Sequence, residues 1–262
     1  DFGRGYDDTG MFGSDSTVDH IQLTYAVNGF GLAISLEDAR DRNAFGQVNG
    51  LVGGDYYAGG QDNIPDIVAA VTYASGIFSA KVAGAWTHQA VSLGGGDGDI
   101  DNPFTYDAED GWAIGGGLEF ALDNFSAGDK FFVSAAYGDN ANSYTGLAGG
   151  TSVAGFVGPA LSVDAAAWTG SSWSALASYK HVWTPQLWSS LSGGYASFDG
   201  SDDFDGYKVD AWRVGFNTAY TPVKGLDLVA DVFYTDVKVK DEGFDDLNGD
   251  GWTFNLFLKR SW

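Results

Sequence analysis

The sequence has no cysteine, and only 5 prolines and 13 basic residues among its 262 positions. Without cysteine there is no disulfide stapling and no thiolate metal site, although the compartment stays open. Against 35 Asp and Glu, the few Lys and Arg leave a formal charge of −22. That balance excludes nucleic acid as a partner, because phosphate binding requires a basic stripe. It also opposes docking on anionic lipid headgroups. No run of about 18 apolar residues occurs, so a membrane helix is excluded. Helical periodicity is nearly absent as well. Position 1 is Asp, and no charged-then-apolar leader follows it. The expectation is that any signal peptide has been removed, or that the chain begins inside a larger one.

What is present is glycine (39), aromatics (9 Trp, 13 Tyr, 18 Phe) and period-two alternation. HIQLTYAVN sets Ile21, Leu23, Tyr25 and Val27 on one face, with Gln22, Thr24 and Asn28 on the other. FGLAISLE follows with Phe30, Leu32, Ile34 and Leu36 on one face, and Asn28-Gly29 between them reads as a tight hairpin turn. The unit recurs in DIVAAVTY with IFSAKVAGAW, DGWAIGGGLEFAL with KFFVSAAYG, SSWSALASYKHVW with QLWSSLSGGYASF, and DAWRVGFNTAYT with LDLVADVFYTDV. A last strand ends in FNLFLKRSW, giving about eleven strands in one domain over 1–262.

Connections alternate short and long. The short ones are tight turns. The long ones (38–65, 87–110, 139–171, 199–209 and 238–251) are acidic and rich in Gly, Asp, Asn and Ser. A β-sandwich has no reason to collect every long loop at one edge, whereas an outer-membrane barrel does. The fold class expected is therefore all-β, a transmembrane antiparallel β-barrel. Its backbone cannot go unpaired in lipid, so the sheet is expected to close.

The two faces fit that reading. The polar face is mostly Gly, Ala, Ser and Thr with isolated charges at Glu37, Lys81, Glu119, Arg213, Asp231 and Lys259, which makes these the candidate pore-lining residues. Aromatics lie near the ends of the apolar stripes: Tyr73, Trp86, Trp112, Tyr137, Trp173, Trp183, Tyr195, Trp212, Tyr220, Tyr234, Trp252 and Trp262. Amphipathic rings at both stripe ends are the pattern of interfacial girdles.

Catalytic chemistry finds little support. Of three histidines, His20 and His88 sit at strand ends, and His181 lies between Tyr179 and Trp183 on the apolar face. No nucleophile elbow or histidine-pair zinc motif occurs. GGGDGD lacks the lysine and the strand–loop–helix setting of a phosphate cradle. DDLNGDGW opens like a calcium loop, with Asp246, Asn248 and Asp250 as candidate ligands. The twelfth position, where a bidentate Glu belongs, is Phe257. A solvated acidic loop is the preferred reading, with loop-bound calcium the lesser one. No other cofactor is expected.

An odd strand number does not suit a barrel with both termini on one side. Counting back from the last strand, the first strand also descends towards the short turns. Residues 1–19 then lie on the loop side or fold inward. PDIVAAV after a glycine-rich loop, DGWAIGGGLEF, SYKHVWTPQLWSSLSGGY, WRVGFNTAYTPVKGLDLVADVFY and the terminal KRSW together resemble the alphaproteobacterial general-diffusion porins. The resemblance implies a sixteen-stranded, homotrimeric outer-membrane channel of a Gram-negative bacterium, of which this chain holds the last eleven strands. It implies that 1–19 is the end of an inward-folded constriction loop, with Asp7 and Asp8 as acidic constriction residues and Arg4 opposing them. It also implies passive passage of small hydrophilic solutes and ions, with lipopolysaccharide around the barrel. The acidic excess adds an expected mild preference for cations. A substrate-specific channel and a barrel that only displays acidic loops are the alternatives.

Overall fold

A computed structural model describes residues 6, 18–38, 46–48, 56–58, 64–94, 105–146, 151–152, 162–163, 169–200, 208–240 and 247–260. Eleven strands form one sheet: β1 (His20–Val27), β2 (Phe30–Glu37), β3 (Asp66–Ala74), β4 (Phe78–Gly94), β5 (Thr105–Ala121), β6 (Lys130–Asp139), β7 (Gly170–Thr184), β8 (Leu187–Gly200), β9 (Lys208–Val223), β10 (Leu226–Lys240) and β11 (Leu247–Arg260). Each pairs antiparallel with its sequence neighbours, so spatial order follows chain order. The expected closure is not made within the chain: β1 and β11 are the two edges and do not pair with each other. Their outer rows of N–H and C=O groups need partners wherever they meet hydrocarbon.

The sheet is inside-out relative to a soluble core. On β2, Ile34 is 50% exposed while its neighbour Ser35 is 6% exposed. The same inversion runs along the other strands. Leu23, Ile114, Leu191, Phe216 and Phe254 are exposed, whereas Ala83, Ala113, Ser192, Ala211 and Ser174 are buried. Most large apolar side chains therefore point outward and most inward ones are small or polar, with Leu176, Phe198 and Phe233 buried as exceptions and β1 exposed along its whole length.

At the loop end the outward face carries a continuous aromatic row: Trp86, Trp112, Tyr137, Trp173, Tyr195, Trp212, Tyr234 and Trp252, one on each strand from β4 to β11. Trp112–Tyr137, Trp173–Tyr195, Trp212–Tyr234 and Tyr234–Trp252 have ring centroids 5.5, 5.0, 5.3 and 5.2 Å apart. The row is not perpendicular to the strands. Trp112 is in register with Asp139 rather than Tyr137, Trp173 with Ser197 rather than Tyr195, and Trp212 with Asp236 rather than Tyr234. Each offset is two residues in the same direction, and the pairs between (Trp173 with Tyr137, Tyr195 with Trp212, Tyr234 with Trp252) have none. A step of about 6.6 Å over two strand spacings of about 9.6 Å in all gives a tilt of about 35° for strands crossing a level belt, within the range of membrane barrels.

A second row marks the turn end, where Phe30, Tyr73, Phe78 and Phe120 stand 4.7, 5.5 and 6.2 Å apart in sequence of contact. Trp183 and Tyr220 are exposed at that same end. From Trp112 to Phe120 on β5, the two rows are about 22 Å apart along the barrel axis at this tilt, close to the apolar band of such barrels. Trp262 lies outside the described residues.

Several strands outrun that band. β4 and β5 have 17 residues each, although about 9–11 suffice to cross. The loop expected over 87–110 therefore begins and ends as a strand pair, through Gly94 and from Thr105, with a register shift between Thr87 and Ala90. Beyond the aromatic row pairing continues without the alternation that reveals it in sequence. Two short hairpins, Gly46–Val48 with Tyr56–Ala58 and Thr151–Ser152 with Ser162–Val163, lie in other long connections. Asn28 (φ 49°) and Gly29 (φ 83°) form the predicted turn with both residues in the left-handed region.

One turn is pinned from a distance. Asp129, just before β6, is buried and accepts the Tyr179 hydroxyl at 2.6 Å and the Val182 N–H at 2.8 Å. His181 Nδ1 lies 2.9 Å from the same carboxylate. His181 is thus the outward, interfacial residue the sequence suggests, with its ring edge-on to Trp183 at 4.1 Å. Burial pushes the Asp129 pKa up, but the bonds from Tyr179, His181 and Val182 outweigh it and hold the carboxyl below its ordinary value.

Two outcomes follow. Phe216 stands midway between Trp212 and Tyr220 on the outward face, so Phe216→Arg is expected to cost about 2–4 kcal/mol in lipid-vesicle folding titrations. A water-facing position would change by no more than about 0.5 kcal/mol. Because Asp129 is held below its unfolded pKa, its contribution is complete above the ordinary carboxylate range and is lost as pH falls through the depressed value. Acid titration of folding is expected to show that loss, and Asp129→Asn to flatten it while lowering stability at neutral pH.

Candidate pore lining

The inner face gathers most of the charged residues expected there. Glu37 and Lys81 line a cavity of about 620 Å³ over the inner wall of β1–β4, and lie within Coulombic reach of each other. Ser35 donates to Glu37 Oε1 at 2.9 Å. Gln22, Thr24 and Thr72 add neutral polar groups to the same space.

On β5 and β6, Glu119 takes the Lys130 ammonium at 2.8 Å on Oε1 and the Tyr6 hydroxyl at 2.8 Å on Oε2. The Tyr6 N–H reaches Ser178 Oγ at 3.2 Å, and its ring meets Phe132 edge-on at 6.4 Å. Tyr6 is thereby attached to the inner wall. Burial first, and donation to Glu119 second, push the Tyr6 hydroxyl pKa far up. Arg4, Asp7 and Asp8 lie outside the described residues.

Arg213 is buried, donates Nε to Thr235 Oγ1 at 2.8 Å and stacks its guanidinium 4.7 Å from the Phe233 ring centre. Asp231 is buried two residues away on β10, and Asn217 on β9 donates to it. Lys259 is exposed on β11 in register with Asp227, near the turn end. The six candidates are thus spread around the wall and do not converge on one point.

Two features escaped the sequence reading. Lys180, on the inner face of β7, holds its ammonium 4.2 Å from the Trp188 ring centre and is in register with Lys130. Its inward position follows from alternation with Tyr179 and His181. The larger omission is a 3₁₀ turn, Asn142–Thr145, within a connection expected to be loop. It lies against the inner wall, with Tyr144 buried among Ala83, Ala85, Ala113 and Ala136. The only sequence signal is the smallness of the wall it covers.

Two of the three calcium candidates lie on a strand. Asn248 and Asp250 are exposed along the strand β11, and Asp250 accepts the Tyr234 hydroxyl at 2.8 Å. Asp246 lies outside the described residues. Among the described residues, no three His, Cys, Asp or Glu side chains are placed to share a metal ion.

The outer membrane channel DcaP of Acinetobacter baumannii has 22% identity, over 97% of this chain and 65% of that one, with a TM-score of 0.61. Outer-membrane expressed OmpT of Vibrio cholerae has 9% identity over 93% and 64%, with a TM-score of 0.55. Its in-vitro folded form gives 0.53 at the same identity and coverage. These likenesses establish the barrel fold, and this chain spans just under two thirds of those proteins' lengths. No curated protein matches the sequence. Residues 5–255 match the porin subfamily, a family of channels rather than enzymes. The chain belongs to that subfamily, and its place is the outer membrane of a Gram-negative bacterium.

Proposed function

We propose that this chain forms part of a water-filled channel through which small hydrophilic solutes and ions diffuse passively, with a mild preference for cations. The observation that carries the reading is the inversion of the sheet, with apolar side chains outward and small or polar ones inward. Such a wall needs lipid on one side and a polar interior on the other. Glu37, Lys81, Glu119, Arg213, Asp231 and Lys259 are its pore-lining charges. Arg4, Asp7 and Asp8 belong to an inward segment over 1–19, which the attachment of Tyr6 to Glu119 supports. The full barrel is of the sixteen-stranded, homotrimeric type of the general-diffusion porins, surrounded by lipopolysaccharide, and it binds nothing tightly. Divalent cations such as calcium at the acidic loops are part of the same proposal. The net charge of −22 supports the cation preference, since acidic mouths concentrate cations.

Planar-bilayer recording of the full-length protein is expected to give steady unitary conductance, and absence of conductance would sink the reading. A salt gradient is expected to give a reversal potential on the cation side. Lys81→Gln is expected to push it further that way and Glu37→Gln to pull it back, because each changes the field along one cavity. Both shifts are expected to shrink towards 1 M salt, where screening reaches only about 3 Å. Clear anion preference would overturn the charge argument.

A further inference from the structure

We propose that the outward face of β9 and β10, above the loop-end aromatic row, is a site for the phosphorylated headgroup of an outer-leaflet glycolipid, held by Lys208, Lys238 and Lys240. The reading above has lipopolysaccharide only as the surroundings of the barrel. The site proposed here is fixed, and it rests on the outward orientation of this wall rather than on conduction.

The chain has 13 Lys and Arg, and its overall charge of −22 opposes anionic lipid. Three of those basic residues stand together here, against that balance. Alternation decides their direction. Lys208 is four residues from Trp212 on β9, and Lys238 and Lys240 are four and six residues from Tyr234 on β10, so all three share the outward face with the row. All three are exposed, while Val209, Val237 and Val239 beside them are buried. At the tilt of these strands they stand about 11 Å and about 16 Å beyond the rings along the barrel axis. The rings mark the level where acyl chains give way to headgroups, so the ammoniums lie in the charged layer above it.

The arrangement calls for an outside partner. Lys208 and Lys240 are directly opposite each other in the ladder, where like charges repel. The nearby acids are already engaged. Asp199 takes Lys208 at 2.6 Å, Asp210 (opposite Lys238) accepts the Tyr195 hydroxyl at 2.6 Å, and Asp250 accepts that of Tyr234 at 2.8 Å. Among the described residues, the side chains of Lys238 and Lys240 make no hydrogen bond or ion pair. An anion seated across the two strands would relieve the repulsion and meet all three ammoniums. On β5 to β8 the outward positions above the row are Asp110, Asp139, Ser171, Ser197 and Asp199, so positive charge is confined to this sector. It faces sideways into the leaflet, and the acidic connections around it repel soluble polyanions. Lysines at two heights suit a headgroup with several anionic groups, a phosphorylated sugar rather than the single phosphate of a phospholipid.

The test uses full-length protein in detergent micelles at low salt, with purified lipopolysaccharide as the probe and EDTA present to remove divalent bridges to the acidic residues. Wild type is expected to bind. Lys238→Gln and Lys240→Gln are each expected to weaken binding about fivefold, and the double variant on the order of 25-fold. These differences are expected to shrink as salt rises. Lys224→Gln, in the turn at the opposite end, changes net charge equally and is expected to bind as the wild type does. Lys240→Gln removes a like-charged pair, so it is expected to fold at least as well as the wild type and carries the test alone should the double variant misassemble. Unchanged binding in the Lys238 and Lys240 variants, equal weakening by Lys224→Gln, or loss of wild-type binding in EDTA overturns the site. Equal binding of dephosphorylated lipopolysaccharide, or of micelles containing phosphatidylglycerol, overturns it too. Absence of conductance in bilayers overturns the channel reading instead, because lipid capture is read without it.

Discussion

The structure depends on one constraint: in a sheet whose large side chains point away from each other, the hydrogen-bond ladder must hold the strands together. A soluble sheet buries its apolar face and gains most of its stability there. Here Ile34, Phe216 and Leu256 are exposed, and the buried set is mainly alanine, serine, valine and threonine. In hydrocarbon, an unpaired backbone amide costs several kcal/mol, which makes every ladder bond obligatory. That explains the long, continuous registers from β4 to β11, with few irregularities. It also explains why Asp129 reaches across to β7. A turn at the membrane edge must find polar partners within the protein, and Tyr179, His181 and Val182 supply them.

The same constraint shapes the interior. Because the outward face takes the bulky residues, the inward face is left with small ones, and small residues leave room. Gly111, Gly138 and four alanines make the recess for residues 140–146, and Gly215 lies opposite Phe233 between the rows that carry Arg213 and Asn217. Space on the inner wall is therefore distributed residue by residue along the ladder.

Much of this was legible in sequence. Period-two alternation assigned both faces of β1 and β2 correctly, and Asn28-Gly29 named its own turn. Tryptophans and tyrosines at stripe ends marked the loop-end row, whereas at the turn end they marked Tyr73, Trp183 and Tyr220 but not Phe30, Phe78 and Phe120. Glu37, Lys81, Glu119, Arg213 and Asp231 were placed inward by parity alone. The arms of β4 and β5 were not legible, since beyond the aromatic row pairing continues without alternation. β1 and β11 are the two edges, and no pattern in eleven strands could say what pairs with them. Residues 140–146 were missed because DNANSYTG reads as a polar loop. Its destination is fixed by Asp66 and Ser172, many residues away in sequence, and local pattern does not report such contacts.

The pairing of the inner charges bears on how such a wall treats solutes. Glu119 is shared by Lys130 and Tyr6, Arg213 lies along Phe233 with a bond to Thr235, Asp231 takes Asn217, and Asp66 takes Tyr144. Groups held this way are fixed dipoles and charges rather than flexible ligands. On the proposed channel reading, a passing ion would feel their summed field without displacing a partner to form a strong bond. Spread over β3, β5, β9 and β10, these groups also offer no single point where several like charges converge. A deep binding site would need that convergence, and these paired groups do not offer it.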